Sequence, residues 1–244
     1  MSFKRFKMPG LSARVALDGP ENGFTLVEFL ISILMTSLIV SAIYSIFRVQ
    51  THSVKLQENR LEAQEYTRNV LDIMVREIRN AAYNPLGVTS GASCGGGVVA
   101  GAPAIITATS TAITFTYDFR GSVASSDPDG DCNDPNEELT YQYESPGPQN
   151  CASGFGDVTR RAKDESGTTV TQPLTDCNVP TGGFTLAYFV QNSSTAMSPI
   201  VVANIQRVQI TLTVQSKNPD QQFGGQLNAT MTSNADLRNR GLPS

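Results

Sequence analysis

Residues 23–47 decide the fold of this chain, and they read GFTLVEFLISILMTSLIVSAIYSIF. From Phe24 to Phe47 every residue except Glu28 is apolar or small. A helix of this length, at ~1.5 Å per residue, would measure ~36 Å, whereas the hydrocarbon core of a bilayer is ~30 Å thick. The stretch therefore predicts a helix that lies in lipid or among other helices.

The same helix is expected to continue well beyond the apolar stretch. No glycine or proline occurs from Phe24 to Asn84, although the chain holds 20 glycines and 13 prolines in 244 residues. Pro85 ends the run, because the residue before a proline is disfavoured in the α region. Residues 48–84 are amphipathic, and their apolar members share one face: Val70, Leu71, Met74, Val75, Ile78 and Ala82. We predict one helix over 24–84 whose second half packs on a globular domain.

Alternating patterns typical of β-strands follow Pro85. Four sets of apolar residues at period two indicate strands: 113, 115, 117 and 119; 139, 141 and 143; 184, 186, 188 and 190; 208, 210, 212 and 214. Weaker strand signals cover 155–163, 168–174 and 226–232. The sequence thus predicts an α+β fold, in which an antiparallel sheet within a β-rich head, residues 85–244, packs on the stripe of the long helix.

Glu28 places a carboxylate within the apolar stretch. Insertion scales put the cost of such a charge at ~2.5–3.5 kcal/mol at the centre of a membrane helix, and at less near the interface. Cleavage after Gly23 would supply a positive partner, because the new α-amine of Phe24 lies four residues from Glu28 in sequence. In a helical array, Glu28 of one subunit could pair with the amine of a neighbour and fix the axial register.

The residues Gly23-Phe24-Thr25-Leu26-Val27-Glu28-Phe29, followed by a long apolar helix, resemble the class III signal of type IV prepilins and secretion pseudopilins. In that family a membrane-embedded prepilin peptidase cuts after the glycine and N-methylates the new terminal phenylalanine. The resemblance implies cleavage between Gly23 and Phe24, methylation of Phe24, and a role for Glu28 in subunit docking.

Two further segments are similar to PilW-type minor pilins and to J-type pseudopilins of type II secretion. They are VREIRNAAY at 75–83 and NADLRNRG at 234–241. The resemblance implies a structural subunit and not an enzyme: a minor pilin at the tip of a type IV pilus or priming its assembly, or alternatively a type II secretion pseudopilin. The implied partners are other pilins or pseudopilins, the prepilin peptidase, the inner-membrane assembly platform and the membrane.

Charge is distributed unevenly along the chain. Residues 1–23 carry four basic and two acidic side chains, a net of +2, so the remainder carries -4 minus +2, or -6. The positive-inside rule places the leader, residues 1–23, in the cytoplasm and the chain after the span outside it. The resemblance implies that residues 24–47 lie in the inner membrane and that the head lies in the periplasm before assembly into a pilus or pseudopilus. The negative total indicates no nucleic-acid partner.

Four cysteines lie in the predicted head: Cys94, Cys132, Cys151 and Cys177. None forms a CxxC pair, so their spacing does not indicate zinc. An even number of cysteines in an exported domain favours up to two disulfides in one of three pairings, with free buried thiols as the alternative. Chain order suggests Cys94–Cys132 and Cys151–Cys177.

The acidic stretch 127–138, DPDGDCNDPNEE, resembles a calcium loop. Its candidate ligands are Asp127, Asp129, Asp131, Asn133 and Glu138, which supply the oxygens that Ca²⁺ prefers. The glycine stands at the fourth position and not at the sixth, and a solvated acidic turn is the alternative. Calcium is the one cofactor considered, and it supports a rival function, a membrane-anchored periplasmic protein that binds calcium or another ligand.

Nothing in the sequence indicates catalysis. His52 is the single histidine, which excludes a site built from several histidines of one chain. The sequence contains no GxSxG, Walker A or GxGxxG motif. We therefore expect a structural protein and no resident cofactor apart from the calcium considered above.

Overall fold

The computed structural model describes residues 23–83, 105–119, 127–128, 132, 134–164, 166–216 and 227–238. In this part of the chain one helix, α1 (Leu26–Arg79), precedes nine strands and a 3-10 helix at Val202–Asn204. The strands are β1 (Ile105–Ala108), β2 (Ala112–Thr116), β3 (Glu138–Glu144), β4 (Phe155–Lys163), β5 (Thr169–Pro173), β6 (Val179–Pro180), β7 (Phe184–Phe189), β8 (Arg207–Gln215) and β9 (Asn228–Asp236). A long helix with an apolar N-terminal half and antiparallel sheets confirms the α+β class. The prediction of one sheet was wrong, because the described strands form two.

The chain divides into two compact units, Met1–His52 and Ser53–Ser244. The second unit contains the C-terminal half of α1 and all the described strands. Its first sheet has the order β1-β2-β3-β4-β5, with β6 also paired to β4, and its second sheet has the order β7-β8-β9. Every pairing is antiparallel.

The C-terminal half of α1 contributes to the hydrophobic core of the second unit. Five of the six predicted stripe residues are confirmed, because Val70, Leu71, Met74, Val75 and Ile78 are all buried, whereas Ala82 is half-buried and lies beyond the end of the helix. They belong to one cluster with the inward side chains of both sheets. Burial of each such side chain contributes about 1.5–3 kcal/mol, so this stripe is a large part of what holds the helix in the unit.

The segments in which apolar residues alternate most clearly form strands, and each of these strands has one buried face. The four β8 residues at 208, 210, 212 and 214 are buried, as are Leu139 and Tyr141 of β3. The weaker signals correspond to β4, to β5 and to β9, which runs on to Asp236. The short strands β1 and β6 were not predicted.

Three predicted strand residues lie outside the strands: Tyr117, which is buried, Phe119 and Val190. Phe119 is 61% exposed and Val190 is 37% exposed. The Tyr117 N–H still donates to the Glu137 carbonyl at 3.1 Å. The chain then leaves the ladder, and the Phe119 N–H donates to the Glu137 side chain, to Oε1 at 3.0 Å. After Phe189 the carbonyl of Val190 accepts the Ser193 N–H in a turn.

Helix α1 ends at Arg79, five residues before the predicted end at Asn84. Ala82 adopts a left-handed φ of 64°. Its N–H donates to the Thr116 carbonyl at 3.0 Å, and the Tyr83 carbonyl accepts the Asp118 N–H at 2.7 Å. These bonds to the end of β2 replace the next helical turn, so a tertiary contact sets the helix end before the proline does.

We expect Met74→Ala to destabilise the second unit by about 2–5 kcal/mol, because its side chain is fully buried. The neighbouring change Ile73→Ala is the matched control, since Ile73 is 42% exposed. It should cost less than about 1 kcal/mol. Denaturant unfolding of the full chain in detergent measures both. Equal effects of the two substitutions would contradict the packing described here.

Candidate functional site

The N-terminus of α1 is capped by Thr25. Its Oγ1 accepts the Glu28 backbone N–H at 3.3 Å, and its carbonyl accepts the Phe29 N–H at 3.2 Å. Thr25 is thus the N-cap and Glu28 the third helical residue, the spacing of a capping box. Sequence reasoning missed this role, although a threonine three residues before a glutamate was a readable signal.

The Gly23–Phe24 bond lies immediately before this cap. Neither residue is helical, and both are exposed, Phe24 to 84%. The rest of the predicted leader, residues 1–22, lies outside the described residues. The bond is therefore accessible and directly adjoins the helix start.

The first half of α1 is apolar and unburied in the isolated chain. It is the one helix in the described part of the chain that is long and apolar enough to span a membrane, and none of its most apolar window is buried. Several hydroxyls in it donate to carbonyls three or four residues earlier: Ser32, Thr36, Ser37, Ser45 and Thr51. These polar groups therefore need no external partner, as a lipid or helix-lined environment requires.

Glu28 is the charged group that interrupts this surface. Its side chain is exposed. Among the residues that the structure describes, none donates to its carboxylate or forms an ion pair with it. A carboxylate of this kind in a dry environment is stable only with a positive partner.

A second polar cluster joins α1 to the first sheet. The Glu77 carboxylate accepts the Arg160 Nε–H at 3.0 and 3.3 Å and also accepts the Tyr141 hydroxyl. Burial, with a contribution from Glu77, raises the pKa of Tyr117 to about 12 and raises the pKa of Tyr141 as well. The phenols therefore remain protonated donors, and the cluster pairs its charges internally.

The Cys151–Cys177 disulfide closes a loop beside a buried carboxylate. The bridge is one of the two that chain order suggested. Asp157 accepts the Cys177 N–H at 2.7 Å, and its Oδ2 lies 3.2 Å from Cys151 Sγ. These three residues are the one described group with metal-ligand spacing. Their sulfurs are not thiolates, because they are bonded to each other, so the group does not bind a metal in this state.

The second predicted bridge lies only partly in the described residues. Cys132 is buried and disulfide-bonded. Cys94, its suggested partner, lies outside the part of the chain that the structure describes. That pairing stays a prediction.

The predicted calcium ligands are only partly described. Asp129, Asp131 and Asn133 lie outside the described residues. Asp127 is exposed, and Glu138, at the start of β3, has its Oε2 4.0 Å from Lys163 Nζ on β4. Calcium binding therefore stays a prediction.

The neighbouring Glu137, which sequence reasoning did not single out, holds the acidic turn. It is fully buried. Its two carboxylate oxygens accept the backbone N–H groups of Phe119 at 3.0 Å and Asp134 at 3.1 Å. Glu137 thus fixes the chain before β3 to the chain after β2.

A cleft of ≈170 Å³ lies in the second unit between α1 and the strand ends. It is lined by Asn59, Glu62, Ala63, Tyr66, Asp176, Asn178, Val214, Gln215 and Ser216. The Tyr66 hydroxyl donates to the Leu174 carbonyl at 2.8 Å. Burial, and then the charges of Asp176 and Asp157, raise the pKa of Tyr66 to about 12. We assign this cleft no chemistry.

Comparison of the chain with protein-family models, curated proteins and solved structures gave no match.

The raised pKa of Tyr66 predicts alkaline destabilisation. Its protonated form is favoured in the fold, so the contribution is complete below pH ~10, the pKa of an unfolded tyrosine. It is lost as the pH rises towards about 12, the pKa of folded Tyr66. We expect the free energy of unfolding to fall over this window and to fall less steeply in Tyr66→Phe. Denaturant titrations at a series of pH values measure both slopes, and identical slopes would refute the assignment.

Proposed function

We propose that this chain is a type IV pilin-like subunit, a minor pilin placed at the tip of a pilus or priming its assembly. The observation that carries the proposal is the arrangement at the start of α1. An accessible Gly23–Phe24 bond directly precedes a capped helix, the helix is apolar and unburied, and Glu28 in it has no partner among the described residues.

The apolar half of α1 supports this proposal because its side chains require cover. Leu30, Leu34 and Leu38 are each more than half exposed. Before assembly lipid would cover them, and in a filament the same segments of neighbouring subunits would. Because the bonded hydroxyls are satisfied within the helix, the segment can pass from lipid to a helix bundle without exposing an unpaired hydroxyl to apolar surroundings.

Glu28 would fix the axial register of the subunits, which non-directional apolar contacts do not determine. Cleavage after Gly23 creates an α-amine on Phe24, and in a dry filament core a neighbour's amine would attract the carboxylate strongly. Its spacing from Thr25 also allows Glu28 a rival, purely local role as the third residue of a capping box. The two roles differ in whether the negative charge is needed, and this difference makes them separable by substitution.

The disulfide in the second unit supports export of the head from the cytoplasm. A disulfide forms and persists in oxidising compartments, so Cys151–Cys177 fits a periplasmic head. The same N-terminal chemistry would serve a pseudopilin of type II secretion. Deletion of the gene distinguishes the two machines, since the strain loses either pili or exoprotein secretion.

Processing is tested by mass spectrometry of the N-terminal peptide from native membranes or sheared filaments. We expect a peptide that begins at Phe24 and carries one added methyl group. A strain without prepilin peptidase is the control and should keep residues 1–23. An intact leader in the active strain, or a terminus near Ala42, would refute the proposal.

Docking is tested by a pair of substitutions that separate charge from capping. Glu28→Gln removes the charge but keeps a side chain suited to a capping box. We expect normal membrane insertion and loss of incorporation into filaments, measured by immunoblotting of sheared filaments. Thr25→Ala removes the cap at a cost of about 1 kcal/mol but keeps the charge, so it should still incorporate. Incorporation of Glu28→Gln at the wild-type level would exclude charge-based docking.

A further inference from the structure

Among the strands that the structure describes, β9 forms one edge of the second sheet and pairs only with β8. The register is continuous from Arg207–Asp236 to Gln215–Asn228. The Ser216 N–H donates to the Leu227 carbonyl at 2.8 Å, and the Leu237 N–H donates to the Gln206 carbonyl at 2.9 Å. In an antiparallel ladder, bonded pairs alternate with unbonded ones. The odd-numbered residues of β9 therefore bond to β8, and the even-numbered ones direct their N–H and C=O groups away from it.

This outward edge is nearly empty in the described part of the chain. One contact reaches it, from Arg79 Nη2 to the Asn234 carbonyl at 3.5 Å. The outward N–H groups at 228, 230, 232, 234 and 236 have no acceptor among the described residues. β9 thus offers a row of donors and acceptors to another strand.

The other sheet edges are protected in ways that β9 is not. β1 has four residues and a register shift, and β5 has five residues and ends at Pro173. β7 is covered in part, because the Leu186 N–H donates to Ser110 and the Tyr188 carbonyl accepts the Met197 N–H. β9 has nine residues, NATMTSNAD, without a bulge, lysine or proline. Soluble proteins rarely leave such an edge bare.

The side chains of β9 are complementary to a second copy of themselves. An antiparallel copy centred on Thr232 would set Thr232 against Thr232, Thr230 against Asn234, and Asn228 against Asp236. On the inner face Ala229 would oppose Ala235, and Met231 would oppose Ser233. No like charges meet and no two large side chains coincide, which are the conditions for a favourable cross-strand set.

We propose that β9 pairs with β9 of a second copy of this chain, antiparallel about Thr232, to form one continuous six-stranded sheet. In this pairing the even-numbered residues of both copies exchange N–H···O bonds. The Asn234 carbonyl can accept both Arg79 and the new donor, because it has two lone pairs. The proposal uses only residues of the second unit and does not depend on the filament function.

Disulfide trapping tests the pairing in the full chain. Bonded antiparallel residues have Cα atoms ~5.5 Å apart, which suits a disulfide. The described cysteines are all disulfide-bonded, so an introduced cysteine would be the reactive thiol. After mild oxidation in native membranes, we expect Thr232→Cys to run mainly as a dimer on non-reducing gels. The control Thr185→Cys, exposed on β7 of the same sheet, should remain monomeric.

Two further variants define the register. Thr230→Cys alone should give little dimer, whereas Thr230→Cys and Asn234→Cys chains produced together should cross-link. Thr232→Pro removes one outward N–H and no backbone bond to β8, but it also removes the 3.0 Å hydrogen bond between the Thr232 and Thr211 hydroxyls. Thr232→Val, which loses the same hydroxyl bond and keeps the N–H, is therefore the control. In the uncross-linked chain in detergent the two variants should have the same melting temperature, and the dimer fraction should be lower in Thr232→Pro. A monomeric Thr232→Cys, equal cross-linking of Thr185→Cys, or cross-linking to a different protein would each overturn the proposal. In a strain without prepilin peptidase the result should be unchanged, which separates it from the test of processing.

Discussion

The ion pair between Glu77 and Arg160 is the interaction on which the packing of α1 on the first sheet depends. Both side chains are largely buried, and desolvating them is costly unless each charge is fully bonded. Glu77 also accepts the Tyr141 hydroxyl, so its two oxygens have donors from two strands of the sheet. Removing either charge would leave the other one buried, at a cost of about 3–5 kcal/mol. The apolar stripe supplies most of the energy of packing, and this pair fixes which turn of the helix meets which strand.

Much of the fold could be predicted because its signals are periodic. A stripe at helical spacing identified the buried face of α1, and alternation at 208–214 identified the buried face of β8. The errors occurred where a distant partner decides the local structure. The helix end depends on the Thr116 carbonyl, and the end of β2 depends on the Glu137 carboxylate. Neither partner is near in sequence, so no local pattern reports it.

Some features of the candidate site could likewise be predicted from the sequence, and others could not. Glu28 could be identified from sequence because a charge in an apolar run is conspicuous. Its position three residues after the N-cap Thr25 could also be predicted, because a capping box has a fixed spacing. The Cys151–Cys177 pairing could be suggested only from chain order, since four cysteines allow three pairings. The Glu77 cluster could not be found at all, because its members come from α1, β3 and β4.

Apolar burial is non-directional, so apolar contacts alone do not select one arrangement of the copies in an assembly of this chain. Polar groups have to make that selection. The exposed leucines and isoleucines of α1 can stabilise many helix arrangements almost equally. A unique arrangement requires contacts that are costly when misplaced, such as an unpaired carboxylate or an unpaired backbone N–H. The described residues contain both kinds, Glu28 in the first unit and the outer edge of β9 in the second. Each requires a directional partner, so we expect these groups to limit the arrangements of copies more than the apolar surface does.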